Sequence, residues 1–97
     1  MINSLFPLGN IVQTRAVAEY RMCIPKFNSF CRLSLNRHML GIWGDLCPED
    51  KILNDNAIHN GDRILSSYVY PDDPSLKIWI ITEWDRSVTT ILFPHEY

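Results

Sequence analysis

Two stretches of the chain hold residue types able to do acid–base or recognition chemistry. The first runs His38…Trp43-Gly44-Asp45…Glu49-Asp50…Asn54-Asp55. Asp50 and Asn54 stand one helical turn apart and therefore share a face if this segment is helical. On one reading, Trp43, Asp45, Asp50 and Asn54 belong to a polar recognition or catalytic rim at a junction between helices. On the other, each has structural work: Trp43 plugs the core, Asp45 caps the following helix and the acids complement its dipole. The second stretch is Thr82-Glu83-Trp84-Asp85-Arg86-Ser87, with Arg63 and Ser66 on a neighbouring strand. Glu83 as a base and Arg86 as an anion stabiliser would suit phosphoryl transfer. A Glu83–Arg86 salt bridge across a tight hairpin accounts for the same residues, and Trp84 and Arg86 join the recognition surface if the hairpin tip folds towards it.

Other chemistries leave no trace in the spacing. His38, His59 and His95 lie far apart with no Cys or His partner at ligand spacing, so no metal is expected. There is no phosphate-cradling Gly-rich loop, no GxSxG elbow and no HExxH, so no cofactor is expected either. Aromatic residues are not interleaved with basic ones as in an RNA-binding sheet.

The elements that must position these residues follow from the pattern. Leu8–Gln13 (LGNIVQ) reads as a short strand after a Gly9-Asn10 turn, and Thr14 as the N-cap of a helix over Arg15–Met22. Pro25 ends that helix and opens the next. Phe27, Phe30, Cys31, Leu35 and Met39 then recur three and four apart, which predicts an apolar helical stripe. Gly41 and Gly44 interrupt it, Pro48 opens a third helix, and Asn60-Gly61 supplies its left-handed stop.

From Arg63 the period changes. Arg63–Tyr70, Leu76–Glu83 and Val88–Phe93 are rich in β-branched and aromatic residues and are separated by turn-forming segments. They predict an antiparallel meander in which Glu83 faces Val88, Ile81 faces Thr90 and Trp79 faces Leu92. Ile78 to Ile81 is apolar on both sides, so its strand is expected at the centre, covered on both faces. Helices should cover one face, and the remaining helix or a second subunit the other. The expected class is α+β: two or three helices followed by a three- to four-stranded antiparallel sheet, in a single domain spanning residues 1–97.

Composition bounds the setting. The chain has 97 residues, 46% hydrophobic and 21% charged, the proportions of a globular domain rather than a disordered or fibrous one. The apolar run Met39–Trp43 is far short of the roughly 20 residues of a membrane span, and Met1–Ser4 does not read as a signal peptide. Three cysteines in no CxxC pairing suit a reducing, cytoplasmic compartment. The net charge of −2 hides unlike halves: five basic residues against two acidic up to residue 48, four against nine beyond it. An acidic total gives no general attraction to a nucleic acid backbone, although Arg32 and Arg37 form a local basic face.

The motif Arg37-His38…Trp43-Gly44-Asp45…Glu49-Asp50-Lys51…Leu53-Asn54-Asp55…Gly61…Arg63-Ile64-Leu65-Ser66, continued by Lys77–Glu83, Asp85-Arg86-Ser87 and Thr89–Pro94, resembles a family of small plasmid-related proteins. Its members occur on plasmids, phages and integrative elements and often carry the label "type I restriction endonuclease subunit M". The resemblance covers residues 37–97 closely, Leu8–Val12 loosely, and residues 15–30 least. A DNA methyltransferase needs a doubly wound sheet and a Gly-rich donor loop, neither of which is present here. What the resemblance implies is an accessory protein of mobile DNA that engages host restriction, defence or replication machinery.

Two functions are thus expected. The first is a non-enzymatic module that binds a protein partner through Trp43, Asp45, Asp50, Asn54, Trp84 and Arg86, and modulates host restriction or defence. The second, by analogy with the element order of barnase- and RelE-like ribonucleases, is a small nuclease using His38, Arg63, Ser66, Glu83 and Arg86. The nuclease reading requires those side chains within hydrogen-bonding reach of one substrate. A homodimer is expected to bury part of Tyr68, Tyr70, Trp79 and Trp84.

Overall fold

Thr14 is where the chain turns from extended to helical: its hydroxyl accepts the Val17 amide at 3.3 Å and so caps the first turn. In the computed structural model, which describes residues 4–97, strand β1 (Asn10–Gln13) precedes this cap and helix α1 (Arg15–Cys23) follows it. Pro25 opens helix α2 (Pro25–Met39), and Pro48 opens helix α3 (Pro48–Asn60), which ends on Gly61 at φ +74°. Strands β2 (Ile64–Val69), β3 (Lys77–Thr82) and β4 (Val88–Leu92) complete the sheet, and a 3₁₀ turn (Pro94–Glu96) follows.

The three helices and the meander match the sequence expectation, as do the β3–β4 pairs Trp79–Leu92 and Ile81–Thr90 and the bond from the Glu83 amide to the Val88 carbonyl. The sheet is not wholly antiparallel, however. Its order is β1-β4-β3-β2, and β1 lies parallel to β4, with Asn10 opposite Val88. The LGNIVQ segment carried strand propensity, but nothing local in it tells which strand it joins. The close approach of Gly9 to the Ser87 carbonyl fixes that docking: at φ +64°, a Cβ there would stand 2.2 Å from the oxygen.

Strand alternation divides the sheet into two faces. Ile78 and Ile80 turn inward and pack, fully buried, with Phe27, Cys31 and Val17 of the helices. Tyr68 and Tyr70 belong to this same core, at 2% and 6% exposure, so they are not free to line a dimer interface as expected. The buried line of α2 is Phe27, Cys31, Ser34 and His38, with Phe30 and Leu35 only at its margin. This corrects the expected stripe: two polar residues sit on the inner line, and Met39 does not.

The outer face is not covered by a helix, because α3 lies along the outer edge of β2. There the Asn54 side-chain amide donates to the Leu65 carbonyl and its oxygen accepts the Leu65 amide. The cover supplied by the chain itself is the strap Pro94–Tyr97. Glu96 accepts both the Thr14 hydroxyl and the Phe93 amide, and Tyr97 lies edge-on to Trp79 at 5.7 Å. Ile81 is 3% exposed beneath this layer. Among the described residues no helix is long and apolar enough to cross a membrane.

Candidate functional site

Ser66 lies on the inner face of β2, diagonal to Thr82 on β3, which stands directly opposite Thr89 on β4. His38 of α2 is set over them with no exposure to solvent. Its Nδ1 is 2.5 Å from the Ser66 hydroxyl and its Nε2 2.9 Å from that of Thr82. Thr82 continues to Thr89 at 2.7 Å, and Thr89 donates to the Leu8 carbonyl at 2.7 Å.

Proton counting fixes the direction of this chain. A carbonyl only accepts, so the one Thr89 proton goes to Leu8. Thr89 must then accept from Thr82, and Thr82 from His38. The imidazole therefore carries its proton on Nε2, and the Nδ1 lone pair accepts the Ser66 hydroxyl proton. Burial pushes the His38 pKa down to about 3, because the charged ring would lose its hydration with no anion to replace it. Phe6 and Trp43 close the remaining sides, with ring centroids 5.3 and 5.9 Å from that of His38. The result is a neutral, fully satisfied polar pin through the core.

The remaining nuclease candidates do not meet it. Arg63 follows the odd-numbered, outer side of β2, where its guanidinium stacks on Tyr97 at 5.2 Å and donates to the Tyr97 hydroxyl. Glu83 alternates to the same outer face, beyond the end of β3. Arg86, at φ 59°, turns the β3–β4 hairpin back towards α3. It donates to the carbonyls of Asp62, Glu83 and Ala57 at 2.7, 3.1 and 2.7 Å, so its guanidinium stops the end of α3, where helix carbonyls lack partners. The Glu83–Arg86 salt bridge does not form: among the described residues the ion pairs are Arg15–Glu19 and Lys26–Asp72. Replacing Arg86 by alanine is expected to cost about 1.5–3 kcal/mol in chemical denaturation, the range for hydrogen bonds from a charged donor. A loss under about 0.5 kcal/mol would show that those carbonyls are served equally well by water.

Most of the expected recognition rim is likewise structural. Trp43 is 3% exposed and donates through Nε1 to Asp55 at 2.8 Å. Asp45 does not cap α3, whose N-cap is Cys47. Its carboxylate accepts the Val69 amide at 2.9 Å, while the Ser67 amide and carbonyl are bound by Trp43 and Asp45 main chain. With Asn54 on Leu65, these residues close the outer edge of β2 along its length. Of the six, Asp50 stands in the first turn of α3 and lines a groove, and Trp84 is 68% exposed on the hairpin tip.

No protein-family model, curated protein or solved structure matches this chain. Of several surface concavities, including one of about 400 Å³ beside Tyr20 and Phe93, the one that holds candidate residues is a groove of about 260 Å³ between α3 and the outer face of β2, lined by Leu46, Asp50, Leu53, Asn54, Arg63 and Leu65. Leu53 and its neighbour Ile52 are 64% and 59% exposed. Sequence reading found Asp50, Asn54 and Arg63 but missed the leucines. Leu53 stands three residues beyond Asp50, where an apolar residue on a charged helix face was the available signal.

The thiols offer no competing chemistry in the core. Cys31 is buried, which pushes its pKa up to about 11 and keeps it protonated.

Proposed function

We propose that the protein is a non-enzymatic interaction module whose contact surface is the α3–β2 groove, with Leu53 as its apolar centre and Asp50 and Arg63 as its charged flanks. The observation that carries this reading is the scatter of the catalytic candidates. His38 and Ser66 are sealed inside, Arg86 is spent on carbonyls, and Arg63 and Glu83 stand on the other face of the sheet. No single substrate group reaches both sets, and general acid–base catalysis needs hydrogen-bonding reach. The groove, by contrast, presents exposed leucine between charges of opposite sign, the composition of an interface anchor with a polar rim. Its target, a component of host restriction or defence, is proposed on the sequence resemblance alone.

The test is Leu53→Asp, which alters an exposed position and leaves the fold's own contacts in place. The protein is used as bait in host extract, and the captured protein is purified and titrated against wild type and variant. Wild type is expected to bind it at least ~10-fold more tightly than Leu53→Asp, a difference of about 1.4 kcal/mol. Equal binding by both, or RNA cleavage by wild type that His38→Ala abolishes, overturns the reading.

A further inference from the structure

The two edges of the sheet are treated differently. β2 is closed by Asn54, Trp43 and Asp45, whereas no described residue covers β1. The Asn10 amide donates to Ser87 and the Thr14 amide to Ile91, so even-numbered residues turn their main chain to β4. Ile11 and Gln13 therefore direct their N–H and C=O groups outwards. All four β1 residues are exposed, Ile11 at 51% and Val12 at 44%. The strand reads NIVQ, without the charge or proline that usually blunts an open edge.

We propose that β1 pairs antiparallel with β1 of a second copy of this chain, about a two-fold axis through Val12. In that register, Ile11 of each copy stands opposite Gln13 of the other, and their outward groups close four N–H···O bonds. The two Val12 residues face each other as the non-hydrogen-bonded pair, with Cα atoms about 4.5 Å apart. The strand is thus its own complement. Because the other edge is sealed, addition stops at two copies and gives a closed pair of eight strands rather than a fibre. Ile11 and Val12 lie on opposite faces, so pairing removes apolar surface from water on both. A four-residue edge falls below the roughly 1,200 Å² of a standard interface, so the dimer is weak, with a Kd between about 10 μM and 1 mM.

Sedimentation equilibrium of wild type, Val12→Lys, Val12→Glu and the equimolar mixture of the two variants, at about 1 mM chain, tests the register. Val12 packs on nothing across the edge, and circular dichroism verifies that each variant stays folded. Wild type is expected to dimerise. Each variant, placing like charges opposite each other, is expected to associate at least ~10-fold more weakly, and the mixture to recover dimer containing one of each. A monomeric wild type, a dimer unaffected by Val12→Lys, or a mixture no more associated than its components overturns the proposal. Leu53→Asp leaves this dimer intact, because the α3–β2 groove lies at the other end of the sheet.

Discussion

Gly44→Ala is expected to lower stability by about 3–5 kcal/mol, while Gly61→Ala, at nearly the same backbone angle, lowers it by only about 1 kcal/mol. Both glycines are left-handed, at φ +77° and +74°, so both pay the conformational penalty of an L side chain. They differ in their surroundings. A Cβ on Gly61 meets nothing within 4 Å, whereas one on Gly44 would stand 2.0 Å from the Ser67 carbonyl oxygen. That oxygen belongs to β2, which has nowhere to move because β3 holds its other side. The Trp43–Asp45 loop must lift instead. Lifting it breaks the bonds from the Asp45 amide to Ser67, from the Ser67 amide to Trp43 and from the Val69 amide to Asp45. Each is worth about 1 kcal/mol, and the stripped β2 groups are then left on an open edge. Against a total stability of about 5–15 kcal/mol for a typical domain, that loss is a large fraction. Urea midpoints of the two variants at unchanged slope decide the matter, and equal shifts would show that backbone angle, not the loop's approach to β2, sets the cost.

The same loop shows what the sequence made legible. Gly44 was visible as a break after α2, but that it breaks the helix in order to lay a loop against β2 depends on Ser67, a residue 23 positions away. Elements set by local signals came through: the Thr14 cap, the prolines opening α2 and α3, the Gly61 stop, and the meander whose register follows from its short turn. Those set by distant partners did not. β1 has a strand's propensity yet finds a parallel partner at the far end of the chain. The bonds of Asp45 and Arg86 were hidden because their partners, an amide donor for Asp45 and carbonyl acceptors for Arg86, are main-chain groups, which no side-chain pattern reveals. His38 sat at the 27, 31, 34, 38 spacing of a buried helical line, but its partner Thr82, and Thr89 beyond it, read as ordinary strand residues. The candidate site inverted accordingly: His38, Ser66, Asp45 and Arg86 went to hold the fold, and the groove centres on Leu53, which carried no chemical signal.

Acid is expected to unfold the protein through His38. In the folded chain the ring stays neutral down to about pH 3, while in the unfolded chain it takes up a proton near its ordinary value of 6.5. The unfolded state therefore binds more protons between those limits, and stability falls as pH falls. The contribution is fully present above about pH 6.5 and is lost progressively towards pH 3. Over that interval it amounts to roughly 4–5 kcal/mol, and its slope approaches about 1.4 kcal/mol per pH unit. The polar pin supplies the reason. With Nε2–H donated to Thr82, a second proton would enter at Nδ1, where Ser66 already donates its own, and no carboxylate lies in the pocket to balance the charge. Denaturation curves between pH 4 and 7 check this against His38→Gln, whose midpoints are lower throughout but whose slope with pH is shallower by about one proton. Nitrogen-15 spectra test the tautomer directly: Nδ1 should resonate as an unprotonated ring nitrogen at pH 5. A wild-type slope equal to that of the variant, or a His38 ring that titrates near 6.5 in the folded protein, would mean that the imidazole has access to water and that the inner face is open after all.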